Sequence, residues 1–271
     1  AAEFIKHNVI ENFESDKKVD YIIHAAGIAS PFYYREFPLE TLEVAITGTK
    51  NMLKLAKEKN AKFTFFSSSE IYGDPDSQNI PTPESYRGNV SSQGPRSCYD
   101  ESKRVGETLC YIFHNLYGVH TNIIRPFNVY GPGMQETDYR VLPNFASQII
   151  KGMPLNLYGS GEQTRTFCYI TDAIEGFFRV ISLGLPGETY NIGNSQPETS
   201  MLNLVKNLEK IFNKSIIYNL IDYPESYPAD EPNRRAPDLS KALNQIGYKP
   251  KISLEQGLKR FFNWAEKNYS N

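Results

Sequence analysis

Short apolar runs alternate with stretches of helical periodicity through the first half of the chain. Residues 20–27, 62–69 and 121–125 have the length and composition of buried strands. Residues 39–57 and 99–116 place apolar side chains near every third or fourth position, which predicts helices. Strands that alternate with helices are typical of parallel βαβ units. We therefore predict an α/β fold built on a parallel sheet.

The pattern loosens after residue 125, where prolines and glycines separate shorter apolar stretches. A last amphipathic helix is predicted over residues 254–267. We predict a dinucleotide-binding sheet domain over residues 1–125 and a smaller lobe built mainly from residues 126–271. This lobe would cover the carboxyl edge of the sheet, so a substrate is expected in the cleft between the two.

The predicted strands end in small and polar residues, at the edge where open α/β sheets bind ligands. Ala25, Ala26 and Gly27 end the first run, and serines occupy positions 67–69 at the end of the second. A Rossmann-like sheet begins with a strand and a G-x-G-x-x-G loop that holds a pyrophosphate, and no such loop precedes residue 20. We expect a Rossmann-like sheet without its first βαβ unit. A small sheet that has no dinucleotide site is the alternative.

Composition narrows the classes of partner. The formal net charge of -2 gives no reason to expect a nucleic acid or an anionic membrane, so an anionic ligand needs a local cluster of Arg and Lys. No apolar run approaches the roughly 20 residues that cross a bilayer. The 3 Cys and 4 His are scattered, which argues against disulfides and a metal site and favours a cytoplasmic location.

Tyr99 and Lys103 form a Y-x-x-x-K pattern at the start of a predicted helix. Residues four apart share one helical face. A lysine ammonium beside a phenol favours the phenolate, so we predict a lowered pKa for Tyr99 and a role in taking a proton from a sugar hydroxyl. The Ser68 hydroxyl at the neighbouring strand end could bind the same substrate oxygen.

Each of these features also has a plain structural interpretation. A single Y-x-x-x-K spacing is most often a solvated helix face. The serines could simply cap a strand end, and Arg235 could be a surface side chain in a proline-rich loop. The combination of the spacing with the serine-rich strand end and the βαβ pattern favours catalysis.

Several longer motifs follow one another along the chain. They are HAAGIASP, SSSEIYGDP, GPRSCYDESKRVGET, RPFNVYGPG and YGSGEQTRTFCYITD. Together they resemble the extended short-chain dehydrogenases that act on nucleotide sugars, the NAD-dependent epimerase/dehydratase family. The stretch GNVSSQGPRSCYDESKR and the Ser68-Ser69-Glu70 sequence are most similar to the UDP-glucuronate decarboxylase (UDP-xylose synthase) branch.

The resemblance implies roles for particular residues. Catalysis would involve Tyr99, Lys103, Ser68, Ser69, Glu70 and Arg235. NAD would be held by Ala25, Ala26, Gly27, Ser67, Tyr99, Lys103 and Pro126. The UDP-sugar would contact Asn128, Val141, Tyr158, Arg165 and Arg235, the last of which would bind a sugar carboxylate or the diphosphate.

The resemblance further implies a homodimer through a helix bundle. The predicted reaction is decarboxylation of UDP-glucuronate through a 4-keto intermediate. A nucleotide-sugar 4-epimerase or 4,6-dehydratase is the alternative within the family. A sugar-nucleotide-binding domain without catalysis is the alternative from another class.

Overall fold

The computed structural model describes residues 2–138, 140–223 and 232–269. Its strands, in chain order, are β1 (Tyr21–His24), β2 (Lys62–Phe66), β3 (Thr121–Pro126), β4 (Val129–Tyr130), β5 (Leu155–Tyr158), β6 (Thr164–Arg165), β7 (Cys168–Tyr169), β8 (Thr189–Ile192), β9 (Thr199–Ser200), β10 (Tyr218–Ile221) and β11 (Arg234–Arg235).

The α-helices are α1 (Pro31–Glu36), α2 (Pro38–Glu43), α3 (Thr49–Lys59), α4 (Ser97–Tyr117), α5 (Val141–Ile150), α6 (Ile170–Leu183), α7 (Met201–Phe212), α8 (Ser240–Ile246) and α9 (Leu254–Asn268). A π-helical segment, Val44–Gly48, joins α2 to α3, so the helix predicted over residues 39–57 contains one wider turn. The helices predicted over 99–116 and 254–267 are confirmed as α4 and α9.

A four-stranded parallel sheet in the order β1-β2-β3-β8 forms the centre of the first lobe. Its strands carry apolar side chains on both faces because helices cover both. Phe63 and Phe65 of β2 face α3 and α4, whereas Ile124 of β3 and Ile192 of β8 face α6 and α8. The α/β prediction, with helices flanking a parallel sheet, is confirmed.

A second apolar core lies among α5, α7, α9 and β5. All of its members follow residue 126, as the predicted second lobe requires. The strand β8 nevertheless returns to the first sheet, and α6 and α8 pack against it, so the later half of the chain contributes to both cores. The division of the chain at residue 125 stays a prediction. Within the described residues, none of the helices combines the length and apolarity needed to cross a bilayer.

The helix α4 lies unusually close to β2. Gly106 faces the ring of Phe65, and a Cβ at this position would lie 2.2 Å from the nearest ring carbon. Such a contact is far inside van der Waals range, so any larger residue would push the helix away from the strand. The close approach brings the first turns of α4 to the carboxyl end of β2.

Candidate active site

The carboxyl ends of β1, β2 and β3 open into a cavity of about 460 Å³, which the second lobe closes from the other side. This volume lies within the range of about 300–1,000 Å³ that is usual for small-molecule sites. The predicted site residues that line it are Ala25, Gly27, Ser67, Ser68, Ser69, Glu70, Tyr99, Lys103, Pro126, Asn128, Val141, Tyr158, Arg165 and Arg235. Ala26 is half-buried beside it and does not line it.

Tyr99 and Lys103 occupy the first and second turns of α4. The side chains are buried, with each residue only 7% exposed, which excludes the interpretation as a solvated helix face. Lys103 Nζ lies 5.7 Å from the centre of the Tyr99 ring and donates a hydrogen bond of 3.0 Å to the carbonyl oxygen of Phe66. The strand end therefore fixes the ammonium beside the phenol.

The predicted direction of the Tyr99 pKa is wrong for this structure. Burial raises the pKa of the phenol, and the Ser68 side chain opposes this effect without reversing it. Burial also lowers the pKa of Lys103 to about 8, while Glu107 on the next turn of the helix acts in the opposite direction. Desolvation disfavours both the phenolate of Tyr99 and the ammonium of Lys103. The degree of desolvation cannot be read from a sequence pattern.

The serine-rich strand end caps a turn and also lines the cavity. Ser68 accepts a hydrogen bond of 3.2 Å from the amide of Glu70 and so caps the 3₁₀ turn Ser69–Tyr72. The same residue lines the cavity beside Tyr99. The hydroxyl of Ser67 donates to Glu107 Oε1 at 2.5 Å.

The carboxylate of Glu70 lies between two buried guanidinium groups. Arg235 Nη2 donates to Glu70 Oε2 at 2.8 Å, and Nη1 contacts the other oxygen, which gives a bidentate pair. Arg96 Nη2 also contacts Glu70, and its Nε lies 3.5 Å from Asp100. Because Arg235 is only 3% exposed, the alternative of a surface arginine is wrong.

Arg96 is a functional candidate that the sequence reasoning missed. It lies immediately before α4, three residues ahead of Tyr99, and lines the cavity. The expectation that an anionic ligand needs a local cluster of cations was the signal that could have identified it. Tyr34 was also missed, and its ring stacks on that of Tyr99 with centroids 5.0 Å apart.

The residues predicted to contact the nucleotide lie on the second-lobe side. Arg165 of β6 is paired in register with Arg235 of β11, so two arginines enter the cavity from adjacent strands. Asn128 uses its amide to donate to the Thr166 carbonyl at 2.9 Å. Tyr158 stacks on Tyr223, a second aromatic lining residue that was missed, with ring centroids 5.5 Å apart.

Small residues at the end of β1, where the family would hold NAD, line the same cavity. Ala25 and Gly27 are exposed to the cavity, and a Cβ at Gly27 would come within 3.2 Å of Lys103 Nζ. The missing side chain leaves this part of the cavity open beside the ammonium. No group of three or more His, Cys, Asp or Glu residues in the described ranges could hold a metal ion.

Comparison with known proteins identifies the family. Residues 2–193 match the family model of the NAD dependent epimerase/dehydratase family. The chain belongs to this family. UDP-glucuronic acid decarboxylase 3 of Arabidopsis thaliana is 42% identical over 256 residues, which are 94% of this chain and 72% of that protein.

Solved structures of family members show the same fold. UDP-glucuronic acid 4-epimerase from Bacillus cereus, in complex with UDP-glucuronic acid and NAD, is 28% identical with a TM-score of 0.82, covering 98% of this chain and 82% of that one. The dTDP-glucose 4,6-dehydratase DesIV from Streptomyces venezuelae, with NAD and TYD bound, is 26% identical with a TM-score of 0.80, covering 92% and 74%. The predicted family and the use of NAD are confirmed.

The buried imidazole of His24, at the end of β1, predicts a loss of stability in acid. Burial lowers its pKa from 6.5 to about 4, and the charge of Lys103 acts in the same direction. The folded chain therefore binds this proton less tightly than the unfolded chain, so the contribution is complete above pH 6.5 and is lost as the pH falls towards about 4. The expected loss is about 3 kcal/mol in the free energy of unfolding.

Urea unfolding of the parent and of His24→Gln at a series of pH values checks this expectation. The difference between the two free energies should narrow by about 3 kcal/mol across that interval. Parallel curves for the two proteins would contradict it.

Proposed function

We propose that the protein catalyses the NAD-dependent decarboxylation of UDP-glucuronate to UDP-xylose. The observation that carries the proposal is the position of the buried Tyr99–Lys103 pair opposite Glu70, Arg96 and Arg235 in one cavity. The Tyr99–Lys103 pair is suited to oxidation at a sugar hydroxyl, and the arginines are suited to binding a carboxylate. Relatives named UDP-glucuronic acid decarboxylase support the same substrate.

Tyr99 is the group that removes the proton from the sugar 4-hydroxyl. Its phenol must act as a base, and burial by itself opposes this because it raises the pKa. The ammonium of Lys103, held by the Phe66 carbonyl, and the hydroxyl of Ser68 both favour the phenolate when the proton leaves. NAD⁺, when bound, supplies a hydride acceptor for C4 and returns the hydride at the end of the cycle.

Removal of the proton and hydride makes C4 a ketone, and the C5 carboxylate is then part of a β-keto acid. The C5–carboxyl bond breaks, its electron pair passes into the C4 ketone as an enolate, and carbon dioxide leaves. Protonation at C5 and reduction at C4 give the pentose. The chain must bind the carboxylate in its ionised form, so that the electron pair of the C5–carboxyl bond can pass into the ketone.

The arginine pair suits that task. In the structure Glu70 takes the position of an anion between Arg96 and Arg235. A glucuronate carboxylate near Glu70 would compete for the same donors, and Arg235, with its two parallel donors, suits bidentate binding. Arg165 lies on the neighbouring strand, in register with Arg235, and we assign it to the diphosphate.

The family offers a second reaction on the same substrate. The Bacillus cereus relative is a UDP-glucuronic acid 4-epimerase, and epimerisation needs the same first oxidation without loss of the carboxylate. The Ser68-Ser69-Glu70 sequence and the identity with the decarboxylases favour decarboxylation.

The test uses the full-length gene product with UDP-glucuronate and NAD⁺. We expect carbon dioxide and UDP-xylose in equal amounts, measured by gas trapping and mass spectrometry of the nucleotide sugars. Tyr99→Phe removes the proton acceptor and is expected to lower kcat by at least about 100-fold. Tyr111→Phe makes the same change on the exposed face of α4 and should leave kcat unchanged.

The other outcomes identify the alternatives. Formation of UDP-galacturonate without carbon dioxide would indicate the 4-epimerase. Turnover of a neutral nucleotide sugar alone would indicate an epimerase or dehydratase of another substrate. Absence of bound NAD, with Tyr99→Phe behaving as the parent does, would indicate a binding domain.

We also propose that the chain forms a homodimer through the helices α2 to α4, as the family resemblance predicts. Large apolar side chains on these helices are exposed, among them Leu39 at 75% and Leu116 at 72%. Burial of such side chains against a second copy would be favourable. The cytoplasmic location stays a prediction from the sequence.

Sedimentation equilibrium at micromolar concentration tests the dimer. The parent is expected to have twice the mass of one chain, and Leu116→Asp should favour the monomer. Leu220→Asp, a matched change on the exposed strand β10, should leave the mass unchanged. A monomeric parent would contradict the proposal.

A further inference from the structure

Behind the Tyr99–Lys103 pair lies a buried carboxylate to which the reaction assigns no role. Glu107 follows Lys103 by one helical turn on α4 and is largely buried. Its Oε1 accepts hydrogen bonds from Ser67 Oγ at 2.5 Å and from Arg125 Nε at 2.9 Å. Its Oε2 accepts a hydrogen bond of 2.6 Å from Arg125 Nη2.

Lys103 and Glu107 contact consecutive residues at the end of β2. The ammonium binds the carbonyl oxygen of Phe66, and the carboxylate binds the hydroxyl of Ser67. Adjacent turns of α4 are thus attached to adjacent residues of the strand. The residue that follows them is Ser68, which faces Tyr99 in the cavity. Glu107 is therefore attached, through Ser67, to the strand end that carries Ser68.

Arg125 holds Glu107 firmly in place. Besides its two bonds to the carboxylate, Arg125 donates through Nη1 to the hydroxyl of Tyr72 at 2.6 Å and to the carbonyl of Glu84 at 3.0 Å. Tyr72 in turn donates to the side chain of Asn191 in β8 at 2.8 Å. The carboxylate is part of a network that spans three strands of the sheet, so its orientation does not depend on α4 alone.

We propose that Glu107 is a positioning residue for the Tyr99–Lys103 pair: its carboxylate orients Ser67 and keeps the buried ammonium of Lys103 protonated at neutral pH. The inference rests on the proposed function only in assigning Lys103 its role as a cation. The position and charge of Glu107 can be tested without any sugar nucleotide.

The charges around Lys103 support this role. Burial lowers the pKa of Lys103 to about 8, and Glu107 acts against that decrease. On neighbouring elements, His24 of β1 is uncharged at neutral pH because burial lowers its pKa to about 4. Glu70, in the turn after β2, is bound by Arg96 and Arg235, and Arg125 of β3 is a further cation. Glu107, one helical turn away, is thus a group that favours the charged form of Lys103.

A purely structural role for Glu107 is the competing explanation. A buried arginine needs a partner, and loss of that partner destabilises a fold whatever its effect on catalysis. A fall in stability or in kcat therefore does not distinguish the two explanations. The protonation of Lys103 distinguishes the two explanations. If Glu107 were only a structural partner for Arg125, its loss would not be expected to change the protonation of Lys103.

The experiment measures the reactivity of Lys103 towards trace acetic anhydride as a function of pH, by peptide mass spectrometry on the full-length protein. In the parent the midpoint is expected near pH 8. Glu107→Gln should move it down by about one unit, and Glu107→Asp, which keeps the charge, should recover about half of that shift. Glu101→Gln, the same change two residues before Lys103, should leave the midpoint unchanged.

A folded Glu107→Gln protein with an unmoved Lys103 midpoint would overturn the proposal in favour of the structural role. If that variant does not fold, Glu107→Met, which also removes the charge and keeps most of the side-chain length, takes its place, and an unmoved midpoint overturns the proposal there as well. The basic limb of the pH profile of kcat should move down with the midpoint. Because the labelling needs no turnover, failure to decarboxylate UDP-glucuronate would refute the proposed reaction and leave this inference standing.

Discussion

The burial of the Lys103 ammonium against the carboxyl end of β2 is the constraint on which the site depends. It requires α4 to approach the strand closely, and Gly106 permits this by presenting no side chain to the ring of Phe65. The approach places Lys103 within hydrogen-bond reach of the Phe66 carbonyl and puts Tyr99 beside Ser68. It also removes both ionisable groups from water, so their charges become sensitive to every neighbour.

Two carboxylates, each flanked by two cations, compensate the charges in and around the site. Glu107 is paired with Arg125 and follows Lys103 by one helical turn, and Glu70 lies between Arg96 and Arg235. The first arrangement is internal and, in our proposal, positions the Tyr99–Lys103 pair. The second faces the cavity, where the carboxylate of the proposed substrate would compete with that of Glu70. A chain with a net charge of -2 thereby offers a locally cationic site to a ligand that carries a diphosphate and a uronic acid.

The features that could be predicted from the sequence are those with short-range signals. Alternation of apolar runs and helical periodicity identified three of the four strands of the parallel sheet and the helix that carries Tyr99 and Lys103, because these patterns follow from burial along a single element. The π-helical turn at Val44–Gly48 was not predicted, since it changes the helix by one wider turn without changing its apolar face.

The ion pairs of the site were beyond prediction because their partners are distant in sequence. Glu70 is 26 residues from Arg96 and 165 from Arg235, and only the folded lobes bring them together. The pKa of Tyr99 was predicted in the wrong direction for a related reason. A neighbouring lysine can be read from spacing, whereas the cost of burying the phenol depends on the whole cavity wall.

The positions of the hydrogen isotopes in the product test most directly whether the protein decarboxylates UDP-glucuronate through a 4-keto intermediate. Full-length protein would convert UDP-glucuronate in deuterium oxide, and the nucleotide sugar would be analysed by nuclear magnetic resonance. We expect UDP-xylose with deuterium at C5, where the enolate is protonated, and protium at C4, to which the original hydrogen returns. A six-carbon product, or deuterium at C4 of the pentose, would contradict it.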